Sequence, residues 1–207
     1  NAQKEQLIEK MGAENATPEE MLKLAGLHID NGQSDQAKEV LLHYHSEDLM
    51  EESERLHYLG TAELELDNYS ASFSYFQQAE ALLRQLRSVN ADQENIGRID
   101  ANTCRTMIMS SLPLEHQGKS KEALEIVTNA TIDFPDQPMA FCRKAELHYE
   151  LKMYQEAIDA ATQSIQLDDS FHLPYRIRAN AYYELGYYNN AYDDCNDCIA
   201  LYGGDLQ

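Results

Sequence analysis

The chain has 207 residues, with 36 acidic side chains against 16 basic ones, giving a formal net charge of −20. Binding to nucleic acid needs a basic stripe that releases counterions from the phosphates, and none is found, so nucleic acid is excluded and an anionic membrane surface is disfavoured. Apolar residues make up 43%, enough for a substantial core, while only 9 glycines and 5 prolines favour helices over an all-β or loop-rich chain.

In chain order, residues 1–17 come first. Asn1-Ala2 is expected to be a cloning scar, and residues 3–13, with Leu7, Ile8 and Met11 apolar, a short capping helix. Neither an initiating Met nor the apolar core of a signal peptide is present, so a processed or excised product is expected. Thr17-Pro18-Glu19-Glu20 reads as a helix start, with Thr17 as N-cap, Pro18 in the first turn and Glu20 closing a capping box. No apolar run approaches the ~18 residues of a membrane span, so direct membrane insertion is not expected.

Laying the chain on itself reveals a repeat. Tyr154-Gln-Glu-Ala-Ile recurs 34 residues later as Tyr188-Asn-Asn-Ala-Tyr, and 34 earlier as Ser120-Lys-Glu-Ala-Leu. With the shared alanine as the twentieth position, repeats occupy 18–52, 53–103, 104–137, 138–171 and 172–205. The eighth position reads Ala25, Gly60, Ser111, Ala145, Ala179, and the twentieth Ala37, Ser72, Ala123, Ala157, Ala191. All ten are small, which lets two helices approach closely. Large residues stand at the fourth position (Met21, Leu56, Met107, Phe141, Tyr175), while the twenty-fourth reads Leu41, Phe76, Val127, Ala161, Cys195. Turns between paired helices are marked by Asn31-Gly32, Asp67-Asn68, Gln117-Gly118 and Leu185-Gly186.

The second repeat carries 17 extra residues, which predicts that its second helix and the next first helix are each about two turns longer, projecting roughly 12 Å as a passive extension or a contact paddle. A break is expected at Asn90-Ala91-Asp92. Pro113 is expected to kink or shorten its helix. Lys144 and Arg178, at the usually apolar seventh position, are expected to lay their stems on the packing surface and reach water or a carboxylate.

The pattern resembles the tetratricopeptide repeat, whose signature combines a large residue, Leu-Gly, an aromatic, and later Ala, Phe and Pro. Leu56-x-x-Leu59-Gly60 with Ser72-x-x-x-Phe76, and Phe141-x-x-x-Ala145 with Ala157, match it, and Pro135 stands at the closing proline. The resemblance covers about residues 18–205 and implies an all-α, right-handed superhelical solenoid of about five antiparallel helix pairs. It also implies that the first helix of each repeat lines a concave groove for a peptide or partner protein. In repeats three to five that groove would hold Arg105, Ile108, Leu112, Met139, Cys142, Arg143, Glu146, Tyr149, Leu173, Arg176, Asn180 and Tyr183. The family's clamp for chaperone-tail carboxylates needs Lys and Asn at set positions; Ile108, Leu112, Arg143, Leu173 and Ile177 stand there instead, so no such clamp is expected.

Other chemistry is sparse. Cys195 and Cys198 form a Cys-x-x-Cys, but deep in a second helix, where core packing is expected. His28 and His148 share the eleventh position, a packing site. Glu51-Glu52-Ser53-Glu54 and Glu63-Leu64-Glu65 are expected on a solvated face. No phosphate loop, nucleophile motif or metal-ligand spacing occurs, so neither enzyme activity nor a cofactor is expected. Four cysteines do not make a disulfide scaffold, which favours a cytoplasmic home and leaves a periplasmic or secreted one open. The expected function is a protein-interaction scaffold or adaptor for a neutral or basic partner. The alternative is a regulatory or sensor domain governing an effector in a larger protein.

Overall fold

A computed structural model describes residues 17–89 and 92–204. The expected scar and capping helix at 1–16, and Asn90-Ala91 of the expected break, lie outside the described residues. Among the described residues there are ten helices and no strands. Their contacts divide the chain into two compact units, one ending at Gly118 and one beginning at Lys119.

The N-terminal unit holds α1 (Pro18–Asp30), α2 (Ser34–Leu42), α3 (Leu49–Glu65), α4 (Tyr69–Val89) and α5 (Gln93–His116). The start of α1 is the expected capping box: Thr17 Oγ1 accepts from the Glu20 amide at 3.3 Å, and the Glu20 carboxylate accepts from the Thr17 amide at 3.1 Å. Asp48 caps α3 by accepting from the Met50 and Glu51 amides. The small residues do what their spacing implies. Ala25, Ala37, Ser72 and Ser111 are fully buried. A Cβ on Gly60 would stand 2.8 Å from Phe76 Cε1, so α3 and α4 approach as closely as glycine permits.

The extended helices are present: α4 has 21 residues and α5 has 24, against 13 or 14 in the four helices that follow. Leu83 and Ile99 are buried on the extensions, and Arg87 pairs with Asp100 across them. Pro113 does not shorten α5. The helix runs on to His116 with Pro113 itself buried, because a proline so near the end removes only one backbone bond.

The C-terminal unit holds α6 (Ser120–Asp133), α7 (Pro138–Glu150), α8 (Tyr154–Leu167), α9 (His172–Glu184) and α10 (Tyr188–Gly204). Its core is a chain of small contacts. Cys142 and Ala145 of α7, Ala160 and Ala161 of α8, and Ile177 of α9 form one cluster; Ala157, Ile158 and Ala181 form the next. Arg178 fulfils the expectation for a seventh-position cation. Its guanidinium holds the buried Asp194 at 2.7 and 2.8 Å and Thr162 Oγ1 at 3.1 Å, stapling α8, α9 and α10. The Asp194 carboxylate holds the Arg178 proton still more firmly than usual.

The turns that follow α1, α3, α5, α7 and α9 share one backbone feature. Gly32, Asp67, Gly118, Lys152 and Gly186 all adopt positive φ, between 60° and 80°. At four of them the next amide reaches back five residues, as in Asn68 to Glu63 and Met153 to His148 at 2.8 and 2.9 Å. The turn at Lys152 carries no glycine and was not marked in the sequence.

Candidate interaction surfaces

In the C-terminal unit, α7 and α9 each present candidate residues at spacings of three and four, which places them along one helical face. On α7, Met139 is 56% exposed, Glu146 and Tyr149 are half-buried, and the Tyr149 ring lies 5.7 Å from that of Tyr154. On α9, Arg176, Asn180 and Tyr183 are exposed at i, i+4 and i+7, Leu173 is half-buried against the core, and Tyr183 meets Tyr188 edge-on at 5.5 Å. The surface is thus aromatic and thioether in its middle, with one cation, one amide and a carboxylate edge.

Two candidates of this unit are turned inward. Cys142 lies in the core cluster with Ile177, and burial, reinforced by Glu146, pushes its thiol up to about 12, so it stays protonated and inert. Arg143 is buried and pairs with Glu146 at 3.2 Å. In the N-terminal unit, Arg105 is exposed on α5, Leu112 is half-buried, and Ile108 is buried at 8% exposure. The pattern is general. Leu22, His57, Ile108 and Cys142 share the fifth position of their repeats and all are buried. Where the neighbour is visible it is the following first helix: Thr106 of α5 meets His57, and Ile177 of α9 meets Cys142. Only Arg176, the fifth-position residue of the last repeat, is exposed.

Two further expectations are corrected. Cys195 is exposed and Cys198 half-buried, so this pair is not core; Ala191 and Asp194 fill the buried side of α10. Glu63 is not on a solvated face. It is 4% exposed, held by Lys38 at 2.8 Å and by Asn68 Nδ2 at 2.8 Å, because α2 and the α3–α4 turn close over it. This ion pair floors an open cavity of about 580 Å³ lined also by Asp67, Tyr69 and Gln117. The hydrogen bond to Glu63 holds the Lys38 proton more firmly than usual.

His57 was missed as a structural residue. Burial, and then the charge of Arg105, push its pKa down to about 3, so it is neutral, with Nδ1 3.1 Å from Thr106 Oγ1. His28 and His148 are buried, in keeping with packing; His28 Nδ1 lies 3.1 Å from Gln33 Oε1. Among the described residues no group of three or more His, Cys, Asp or Glu is arranged to hold a metal ion, and no helix is long and apolar enough to cross a membrane.

Residues 140–171 match the family described as tetratricopeptide repeat. No curated protein matches the chain. Among solved structures, BtubC (BKLC) from P. vanneervenii is similar over 91% of this chain and 80% of its own, at 10% identity and a TM-score of 0.72. MamA from Desulfovibrio magneticus RS-1 is similar over 90% and 96%, at 13% identity and 0.60. YrrB, described as a TPR protein with an unusual peptide-binding site, is similar over 94% and 91%, at 12% identity and 0.55.

Proposed function

Because residues 140–171 are a tetratricopeptide repeat and the chain has the fold of tetratricopeptide-repeat proteins, we propose that it is a protein-interaction scaffold or adaptor that binds a peptide on the α7–α9 surface. The fold generally serves as a scaffold, and YrrB provides a peptide-binding instance of it. The observation that carries this reading is the exposed row Arg176, Asn180, Tyr183 on α9 beside Met139 and Tyr149 on α7. Aromatic, Met and Arg side chains are those enriched where proteins bind, and a tyrosine supplies large contact area at little entropic cost. Arg176 and Asn180 can fix a peptide main chain through their donors. Glu146 and the net charge of −20 favour an apolar peptide with a basic residue.

Affinity capture with the wild type and with Tyr149→Ala/Tyr183→Ala tests this. The double variant is expected to lose the partner that the wild type recovers; equal recovery of every partner defeats the proposal.

A further inference from the structure

Of the five left-handed turns, only the first joins an asparagine to a glycine: Asn31-Gly32, against Leu66-Asp67, Gln117-Gly118, Leu151-Lys152 and Leu185-Gly186. That pairing carries its own chemistry. Asparagine is a labile residue, and a following glycine has no side chain to shield its amide nitrogen from the asparagine carboxamide. Both residues are exposed, and a Cβ on Gly32 would meet nothing within 4 Å. In the closed turn the reacting atoms are held apart. The Gly32 amide donates to the Ile29 carbonyl at 2.8 Å, and Asn31 Nδ2 donates to the Leu27 carbonyl at 2.5 Å. Asn31 has ψ 9°, which sets the Gly32 nitrogen over the Asn31 nitrogen and away from the Asn31 side chain. The Gln33 amide, bonded to the His28 carbonyl at 2.8 Å, closes the turn, and Gln33 Oε1 lies 3.1 Å from His28 Nδ1. Reaction therefore waits for the turn to open, and an exposed helix end opens at far less cost than the whole fold.

We propose that Asn31-Gly32 is a self-modification site, gated by the opening of the α1–α2 turn, with water as its only co-reactant. In the open turn the Gly32 nitrogen gives up its proton and bonds to Asn31 Cγ. The Cγ–Nδ2 bond breaks, Nδ2 leaves as ammonia, and a five-membered succinimide remains. Water then adds to either ring carbonyl, opening the ring to aspartate or to isoaspartate, in which the chain runs on through the side-chain carbon. Either product loosens the turn. A carboxylate cannot donate to the Leu27 carbonyl, and it stands against the negative end of α1, whose last turn offers only His28 as a base. Asp30 and Asp35, both exposed, lie within four residues in the chain and add repulsion. Isoaspartate also lengthens the backbone beside Gly32, which must keep φ at 66°. Gln117-Gly118 offers the same nucleophile, but its longer side chain would close a six-membered ring, which forms more slowly.

The test holds the full chain at neutral pH in heavy-oxygen water, native or unfolded in guanidinium chloride, and follows each asparagine by peptide mass spectrometry. Asn31 is expected to convert in both, with one heavy oxygen taken up per event and isoaspartate among the products, and at least about tenfold more slowly in the native chain. Gln117, and residue 31 in the Asn31→Gln variant, are expected to stay intact over the same period. The loosening is read by hydrogen exchange in Asn31→Asp, which reproduces one product. There the Gln33 amide is expected to exchange about tenfold faster, while the Tyr187 amide, which closes the equivalent turn after α9, is unchanged. The proposal is overturned if Asn31 stays intact in the native chain while it converts in the unfolded one, if the two convert equally fast, or if another asparagine of α1–α10 converts first. Unchanged exchange at Gln33 in Asn31→Asp overturns the loosening.

Discussion

In the α3–α4 pair the eighth and twenty-fourth positions are Gly60 and Phe76; in the α9–α10 pair they are Ala179 and Cys195. Phe76 is fully buried over Gly60, with its ring 5.3 Å from that of His57, and Ser72 Oγ donates to the Gly60 carbonyl at 2.7 Å. Cys195 is exposed, and its place in the joint is taken by Asp194, gripped by Arg178. The first pair is held by shape, the second by a paired charge. Shape fails through the void left behind, whereas a buried pair fails through the charge that stays when one partner goes.

Breaking each joint separates the two mechanisms. Phe76→Ala is expected to cost the N-terminal unit about 3–5 kcal/mol in urea unfolding; a loss below about 1 kcal/mol would show that Phe76 is not the keystone. Arg178→Met should cost about 2–3 kcal/mol, somewhat under the range for a fully buried pair because the guanidinium is partly exposed. Adding Asp194→Leu should recover most of that loss. A double variant no better than the single one means that packing, not charge, holds α10.

Acid sharpens the contrast with a smaller effect. In the unfolded chain His57 takes up a proton near its ordinary value of 6.5, whereas in the fold it does so only near 3. Its contribution is therefore complete above pH 6.5 and declines as the pH falls towards 3, with a slope of up to about 1.4 kcal/mol per pH unit. Unfolding measured across that window should flatten in His57→Gln, which keeps a partner for Thr106. An unchanged slope would place the proton uptake elsewhere.

The ten small residues at the eighth and twentieth positions were legible because their constraint is local to a helix pair, and all of them are buried. The fifth position was not. Cys142 reads as a groove residue on its own helix, and only the arrival of Ile177 from the next repeat covers it. Cys195 misled in the opposite sense. Its equivalents Leu41, Phe76, Val127 and Ala161 are fully buried, but Cys195 has no described helix above it. Sequence periodicity names the side of a helix; whether that side is core depends on what comes to lie there. Glu63 shows the same limit for charge, since its partner Lys38 is 25 residues away and nothing in Glu63-Leu64-Glu65 announces it.

Four of the left-handed turn residues, Gly32, Asp67, Lys152 and Gly186, have a kinetic consequence. Each reverses the chain within a few residues inside one unit, so a helix meets its antiparallel neighbour without a long search and at little loop-closure entropy. Assembly can therefore start at any such hairpin and spread to its neighbours, so that no single hairpin has to form first.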